Sequence, residues 1–168
     1  MKKWTTRKTI ILGLLIALHI VTGRLLSIEL SPSLRITISS SFVMLAGLWF
    51  GPVAGALAGI VADILGSFIK GYSPFLPLTV TPMALGLLMG FFAPFLKKRK
   101  NILYYGICII GSTLLASGVY SSFAFSLLYK APMYTYLPGR LIQAAVTGVV
   151  NTIIVYTLYH CPAGKMVQ

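Results

Sequence analysis

Residues 36–69 read ITISSSFVMLAGLWFGPVAGALAGIVADILGSFI, two apolar runs joined by Gly51-Pro52. A Gly-Pro pair ends one helix and opens the next, because proline tolerates the first helical position and glycine the turn before it. The joint is too short for anything but antiparallel neighbours. The stretch therefore predicts a helical hairpin, with spans at 36–50 and 53–69. In the second run Gly55, Gly59 and Asp63 recur at intervals of four, as do Ala54, Ala58 and Ala62. Small residues one turn apart let helix backbones approach closely, as membrane helices require when lipid is as apolar as their side chains.

The rest of the chain is of the same kind. Of 168 residues, 57% are hydrophobic and only 10% charged, and the mean hydropathy is +0.89. Soluble domains hold about 25% charged residues, so a solvated globule is excluded. A bilayer core of about 30 Å needs roughly 20 apolar residues per helix. Further spans are expected at 9–28, 75–96, 102–128 and 138–159. The first follows a basic start that resembles a signal peptide, but no small-x-small cleavage site comes before Arg24, so it reads as retained. Pro77, Pro82 and Pro94 predict an irregular or kinked fourth segment. The fifth is long and turns polar over Ser117-Gly118-Val119-Tyr120-Ser121-Ser122, which predicts tilt or a protein-buried end. A loop from Tyr129-Lys130-Ala131-Pro132 to Leu137-Pro138-Gly139-Arg140 leads into the sixth. The expectation is one domain, 1–168, an all-α integral membrane protein with six transmembrane helices.

Fourteen Lys and Arg against two acids leave a net charge of +12. Eight of the fourteen form two blocks, at 2–8 and at 97–100, without interleaved stacking aromatics beyond Trp4, so they read as topology signals rather than a nucleic-acid surface. Six spans put nine basic residues on the side of the termini and five on the other, which predicts cytoplasmic termini. Cys108 and Cys161 make neither a disulfide nor a metal pattern. No phosphate-binding loop, zinc motif or carboxylate pair is present, so no catalytic residue and no metal site is expected.

The side opposite the termini holds isolated cations. Lys70 and Lys130 fit snorkelling residues at helix ends. Arg24, Arg35 and Arg140 border apolar helices and suit bidentate recognition of a carboxylate. Asp63 is the acid inside an apolar span. It is either a structural partner or an acceptor for a ring with adjacent N–H donors, such as an amino-pterin or a pyrimidine. Tyr72, Phe75, Tyr120, Phe123 and Tyr134 are either stacking partners for such a ring or an interfacial belt. Ser121 lies in the polar part of the fifth segment. Gly13 and Ala17, one turn apart, form a helix-packing surface.

Together these segments resemble a substrate-binding S component of an energy-coupling factor (ECF) transporter, most closely the folate-specific FolT subfamily. The resemblance is carried by Leu14-Leu15-Ile16-Ala17-Leu18, Gly23-Arg24-Leu25-Leu26-Ser27-Ile28, Leu34-Arg35-Ile36-Thr37-Ile38-Ser39, Phe50-Gly51-Pro52-Val53-Ala54-Gly55-Ala56, Ala62-Asp63-Ile64-Leu65-Gly66 and Leu137-Pro138-Gly139-Arg140-Leu141-Ile142. It implies a non-enzymatic, multi-pass protein of the bacterial cell membrane that captures a vitamin, here folate, from outside. Arg24, Arg35, Asp63, Tyr72, Phe75, Tyr120, Ser121 and Arg140 would bind the substrate. Gly13 and Ala17 would pack on the transmembrane coupling protein EcfT, and two partner ABC ATPases, not this chain, would use ATP and Mg. Two stretches depart from the folate pattern, Pro74-Phe75-Leu76-Pro77-Leu78-Thr79 and the segment from Ser117 to Ser122. They leave hydroxymethylpyrimidine, pantothenate or another vitamin as alternative substrates. A non-transport membrane scaffold is the alternative outside the transporter class, and a membrane enzyme working through Asp63 and a histidine is a further one.

Overall fold

The computed structural model describes residues 6–25, 28–31, 34–69, 71, 76–98, 101–130 and 132–161, the side chains of 24–25, 28–31, 34–36, 135 and 136 excepted. Helix α1 (Thr6–Leu25) leads into a hairpin of β1 (Ile28–Ser31) and β2 (Leu34–Ile36). Then come α2 (Ser40–Phe50), α3 (Pro52–Ile69), α4 (Leu76–Lys98) and α5 (Ile102–Thr113). The chain continues through a π-helical turn at Leu114–Tyr120 into α6 (Ser121–Tyr129), and ends in α7 (Met133–His160). The segment from Ile102 to Tyr129 runs as one helical pass, so the described residues form six helical passes. Five of them are long and apolar enough to cross a membrane; the exception is α2.

The second span is the main departure from expectation. It does not begin at Ile36: residues 34–36 pair antiparallel with 28–31, with Ile28 opposite Ile36 and Glu29 opposite Arg35. The first span likewise stops at Leu25 rather than reaching residue 28. Pro32 lacks the N–H a continuing helix needs, and β-branched Ile28 and Ile36 suit the pleat. A helix of 11 residues is only about 16 Å long. It is also buried almost all round, from Val43 to Leu48. Thus α2 is the central post of the bundle, and its start is set by side chains. Thr37 Oγ1 accepts the Ser39 N–H at 3.1 Å and donates to Ser39 Oγ at 2.9 Å, while His19 of α1 meets the Ser39 carbonyl at 2.8 Å.

At the joint, Gly51 has φ 97° and ψ 175°, a conformation open almost only to glycine. Its N–H closes on the Gly47 carbonyl at 2.9 Å, and Pro52 opens α3. The pairing of α3 with α4 is the most extensive among the described elements, and it is made by missing side chains. A Cβ on Gly55 would lie 2.5 Å from the Gly86 carbonyl oxygen, and one on Gly59 2.5 Å from that of Pro82. Gly47 of α2 meets Gly86 in the same way. The four-residue repeat of α3 is thus its contact face with α4, which runs unbroken through Pro82 and Pro94.

Helix α7 starts at Met133, five residues before the expected 138, with Pro138 inside it. The carbonyl deprived of its partner belongs to Tyr134, which is 76% exposed, so it is not trapped in the core. Met44, Leu45, Leu85, Met89, Ile109 and Val155, from α2, α4, α5 and α7, fill the main core. A smaller cluster of Leu15, Ala46 and Ala58 joins α1 to α2 and α3.

Candidate functional site

The polar residues of four passes converge where α2 begins. A cavity of about 100 Å³ is lined by Thr37 and Ser40 at the head of α2, Thr81 of α4, Thr113, Ser117 and Ser121 along the fifth pass, and Arg140, Gln143, Ala144 and Thr147 of α7. Nine of these ten residues are polar, in a chain that is 57% hydrophobic. Polar side chains inside a membrane bundle are costly and tend to mark ligand paths.

The π-helical turn aims the fifth pass at the cavity. It adds a residue to the helical turn, and Ser121 then covers a carbonyl five residues back, donating to Ala116 at 3.2 Å. Ser121 also meets Thr81 Oγ1 at 3.0 Å, tying α4 to α6. Thr113 donates to the Ile109 and Ile110 carbonyls, both at 2.9 Å. Gly118 keeps α7 close: a Cβ there would lie 3.0 Å from Leu141 Cδ2.

On α7, Arg140, Gln143, Thr147 and Asn151 follow one another at intervals of three and four, a polar stripe down one helix face. Arg140 is only 8% exposed, and its guanidinium carbon lies 3.9 Å over the Phe125 ring, a cation–π contact. Thr147 is buried, and its Oγ1 has no hydrogen-bond partner among the described residues. Below the cavity, Ser41 of α2 donates to Asn151 Oδ1 at 2.7 Å. That bond locks the rotation of α7 against the central helix.

Of the residues singled out from sequence, Ser121 and Arg140 line the cavity. Tyr120 is half-buried and does not, while Phe123 and Tyr134 point outward. Tyr72 and Phe75 lie outside the described residues, as do the side chains of Arg24 and Arg35. The backbone puts Arg24 in the last turn of α1 and Arg35 on β2, and β2 packs on α7. Asp63 is not at the cavity. Thr79 of α4 donates to its Oδ2 at 2.8 Å, one turn beyond the Gly59–Pro82 contact, so it extends the α3–α4 seam. Gly13 and Ala17 are exposed on α1, and no other atom lies within 4 Å of a Cβ built on Gly13. No cluster of three or more His, Cys, Asp or Glu exists among the described residues. Reading isolated charges at helix ends missed Gln143, Thr147, Thr113 and Thr81. For Gln143, Thr147 and Thr113 the signal was present as polar residues recurring every three or four positions within apolar runs; Thr81 has no such neighbour.

The sequence profile of the family described as "ECF-type riboflavin transporter, S component" matches residues 3–160. Among curated proteins, a UPF0397 protein of Clostridium perfringens (strain SM101 / Type A) is 28% identical over 160 residues, covering 88% of this chain and 86% of its own. UPF0397 protein SAG1634 of Streptococcus agalactiae is 25% identical over 135 residues, covering 76% and 74%. Among solved structures, FolT bound with folic acid superposes with a TM-score of 0.75 at 25% identity, over 92% of this chain and 93% of that one. An S component for biotin reaches 0.74 at 18% identity, over 98% and 99%, a likeness of fold.

Proposed function

Given that this chain belongs to the family of ECF-type riboflavin transporter S components, the membrane-embedded substrate-binding subunits of vitamin importers, we propose that its own vitamin is folate. It captures folate from the outer face of the cell membrane through the polar cavity. The carrying observation is Arg140, buried in the cavity wall with its guanidinium carbon 3.9 Å from the Phe125 ring centroid. A buried guanidinium suits a carboxylate or a ring carbonyl. Folate offers both, and the likeness to FolT supports the choice. A cavity of about 100 Å³ is well below the roughly 300 Å³ at which pockets for whole small molecules begin. It receives one end of the vitamin, and the remainder extends toward the end of the bundle where the hairpin packs on α7 and where Arg24 and Arg35 lie.

Uptake needs partners. The exposed Gly13–Ala17 face of α1 packs on the coupling protein EcfT, and two ABC ATPases that bind Mg and ATP drive the cycle. Riboflavin is the second reading, favoured by the description of the matching family. It carries ring carbonyls but no carboxylate, so Arg140 suits either, and direct comparison of binding separates the two. Isothermal calorimetry of the purified chain with folic acid and with riboflavin is the test. One-to-one binding of folic acid, lost in Arg140→Ala, supports folate; heat with riboflavin alone replaces the substrate and keeps the function.

A further inference from the structure

The turn between α4 and α5, at the end of the bundle away from the cavity, carries the densest charge in the chain. Lys97 and Lys98 close α4 and are both exposed. Arg99 and Lys100 follow them in sequence before α5 opens at Ile102. Four consecutive residues span at most about 11 Å, at about 3.8 Å for each Cα step. That is close to the Debye length of about 8–10 Å, so their potentials add. The end of α4 offers about half a negative charge and the start of α5 about half a positive one beside it, so the helix dipoles cancel and the four charges stand. The chain has two acids to set against them, Glu29 and Asp63. Asp63 is held by Thr79, about 27 Å from Lys97 along α4 (residues 79 to 97 at about 1.5 Å each). Glu29 is on β1, in the hairpin that follows the other end of α1. Neither acid neutralises the block.

Next to these charges, α4 and α5 turn apolar surface outward. Phe91 and Phe95, one turn apart on α4, are 63% and 47% exposed, and Leu103 and Ile107, one turn apart on α5, are both 70% exposed. Phe95 meets Tyr104 edge-on with ring centroids 6.0 Å apart. An aromatic pair thus stands about one turn from the cations, the arrangement that marks a membrane surface. We infer that the α4–α5 turn binds an anionic phospholipid, with its phosphates on Lys97, Lys98, Arg99 and Lys100 and its acyl chains along the exposed faces of α4 and α5. Charge complementarity and the apolar faces together select this occupant. A free phosphate or an acidic protein loop answers the cations and leaves Phe91, Phe95, Leu103 and Ile107 bare, whereas a phospholipid answers both. A lipid with two phosphates matches four cations best. The site is separate from the polar cavity, since Thr81 of the cavity wall is about 24 Å from Lys97 along α4 (residues 81 to 97).

The test is native mass spectrometry of the purified full chain in neutral detergent, titrated with cardiolipin, which has two phosphates, and with zwitterionic phosphatidylcholine. Cardiolipin binds one-to-one, about tenfold or more tightly than phosphatidylcholine. Lys97→Gln combined with Lys98→Gln weakens cardiolipin binding about 25-fold, at roughly fivefold for each cation near an anionic surface. Lys97→Arg combined with Lys98→Arg, which keeps the charge, retains the affinity. Lys2→Gln combined with Lys3→Gln, an equal loss of charge ahead of α1, leaves it unchanged. Thermal unfolding verifies that each variant is folded, and the single glutamine substitutions, each about fivefold weaker, carry the same test if the pair does not fold. Equal binding of the two lipids overturns the inference, as does an equal loss in the Lys2–Lys3 variant, which would make the attraction one of diffuse charge. Displacement of cardiolipin by an excess of sodium phosphate reduces the turn to an anion site and overturns the lipid. Unchanged cardiolipin binding in the glutamine pair, with loss of a co-purifying protein, gives the turn to a protein partner instead. None of these results bears on the vitamin bound at the cavity.

Discussion

Arg140 and Asp63 show how differently two charged residues in one bundle are used. Arg140 lies in the cavity wall with its guanidinium over Phe125, whereas Asp63 takes a hydroxyl proton from Thr79 across the α3–α4 seam. Each charged hydrogen bond to a ligand contributes about 1.5–3 kcal/mol. Arg140→Ala is therefore predicted to weaken folate binding roughly tenfold to a hundredfold, as read by calorimetry. Asp63→Asn is predicted to leave folate affinity near wild type and to lower the thermal midpoint in detergent, because it disturbs a helix seam and not the site. A large loss of affinity in Asp63→Asn would return that carboxylate to the ligand. Both residues stand out in the sequence as charges near or within apolar runs. What separates their roles is the neighbour each meets, Phe125 at 15 positions' remove or Thr79 at 16, and that depends on how helices are rotated against one another.

At the scale of elements, the hairpin of α2 and α3 is held by a glycine that must be glycine and by contacts that exclude side chains. Gly51→Ala places a Cβ in a backbone region that disfavours it and is expected to destabilise the fold by about 1–3 kcal/mol. Gly59→Ala is expected to lose a similar amount, about 1–3 kcal/mol for overpacking, because its Cβ would sit 2.5 Å from the Pro82 carbonyl oxygen. Thermal unfolding in detergent measures both. Gly13→Leu is the contrasting case. With no other atom within 4 Å, the added side chain fits the isolated subunit, so folding and vitamin binding persist. Co-purification with the coupling protein is predicted to fall; its persistence would remove this face from the interface. The hinge and the small-residue repeat are legible in the sequence because both are local. The 28–36 hairpin and the π-helical turn are not, since a few residues of strand or one inserted residue leave no periodic trace in an apolar background.

For the whole molecule, the buried central α2 explains why a six-pass protein has one pass too short to span by itself: its partners, not lipid, surround it. The outward faces of α1 and α3 leave Ile10, Leu14, Val53, Leu57 and Phe68 exposed, an apolar surface suited to lipid or, on α1, to a membrane partner. Reconstituted alone in vesicles, the chain is predicted to bind folate saturably without accumulating it, even with MgATP inside. Accumulation should require the coupling protein and both ATPases. Uptake by the lone subunit would contradict this division of labour.

Composition, hydropathy and the Gly51-Pro52 joint by themselves determined a six-pass helical membrane protein and the packing face of α3, because burial of backbone in lipid admits helices of known length and because small residues one turn apart mark close contact. The convergence of Thr81, Thr113, Arg140 and Thr147 on one cavity was decided only by the tertiary structure. Helical periodicity tells which residues share a face of one helix. In lipid, no hydrophobic gradient tells which helix that face meets, and here the answer comes from glycine contacts, the Ser41–Asn151 bond and the π-helical turn acting together.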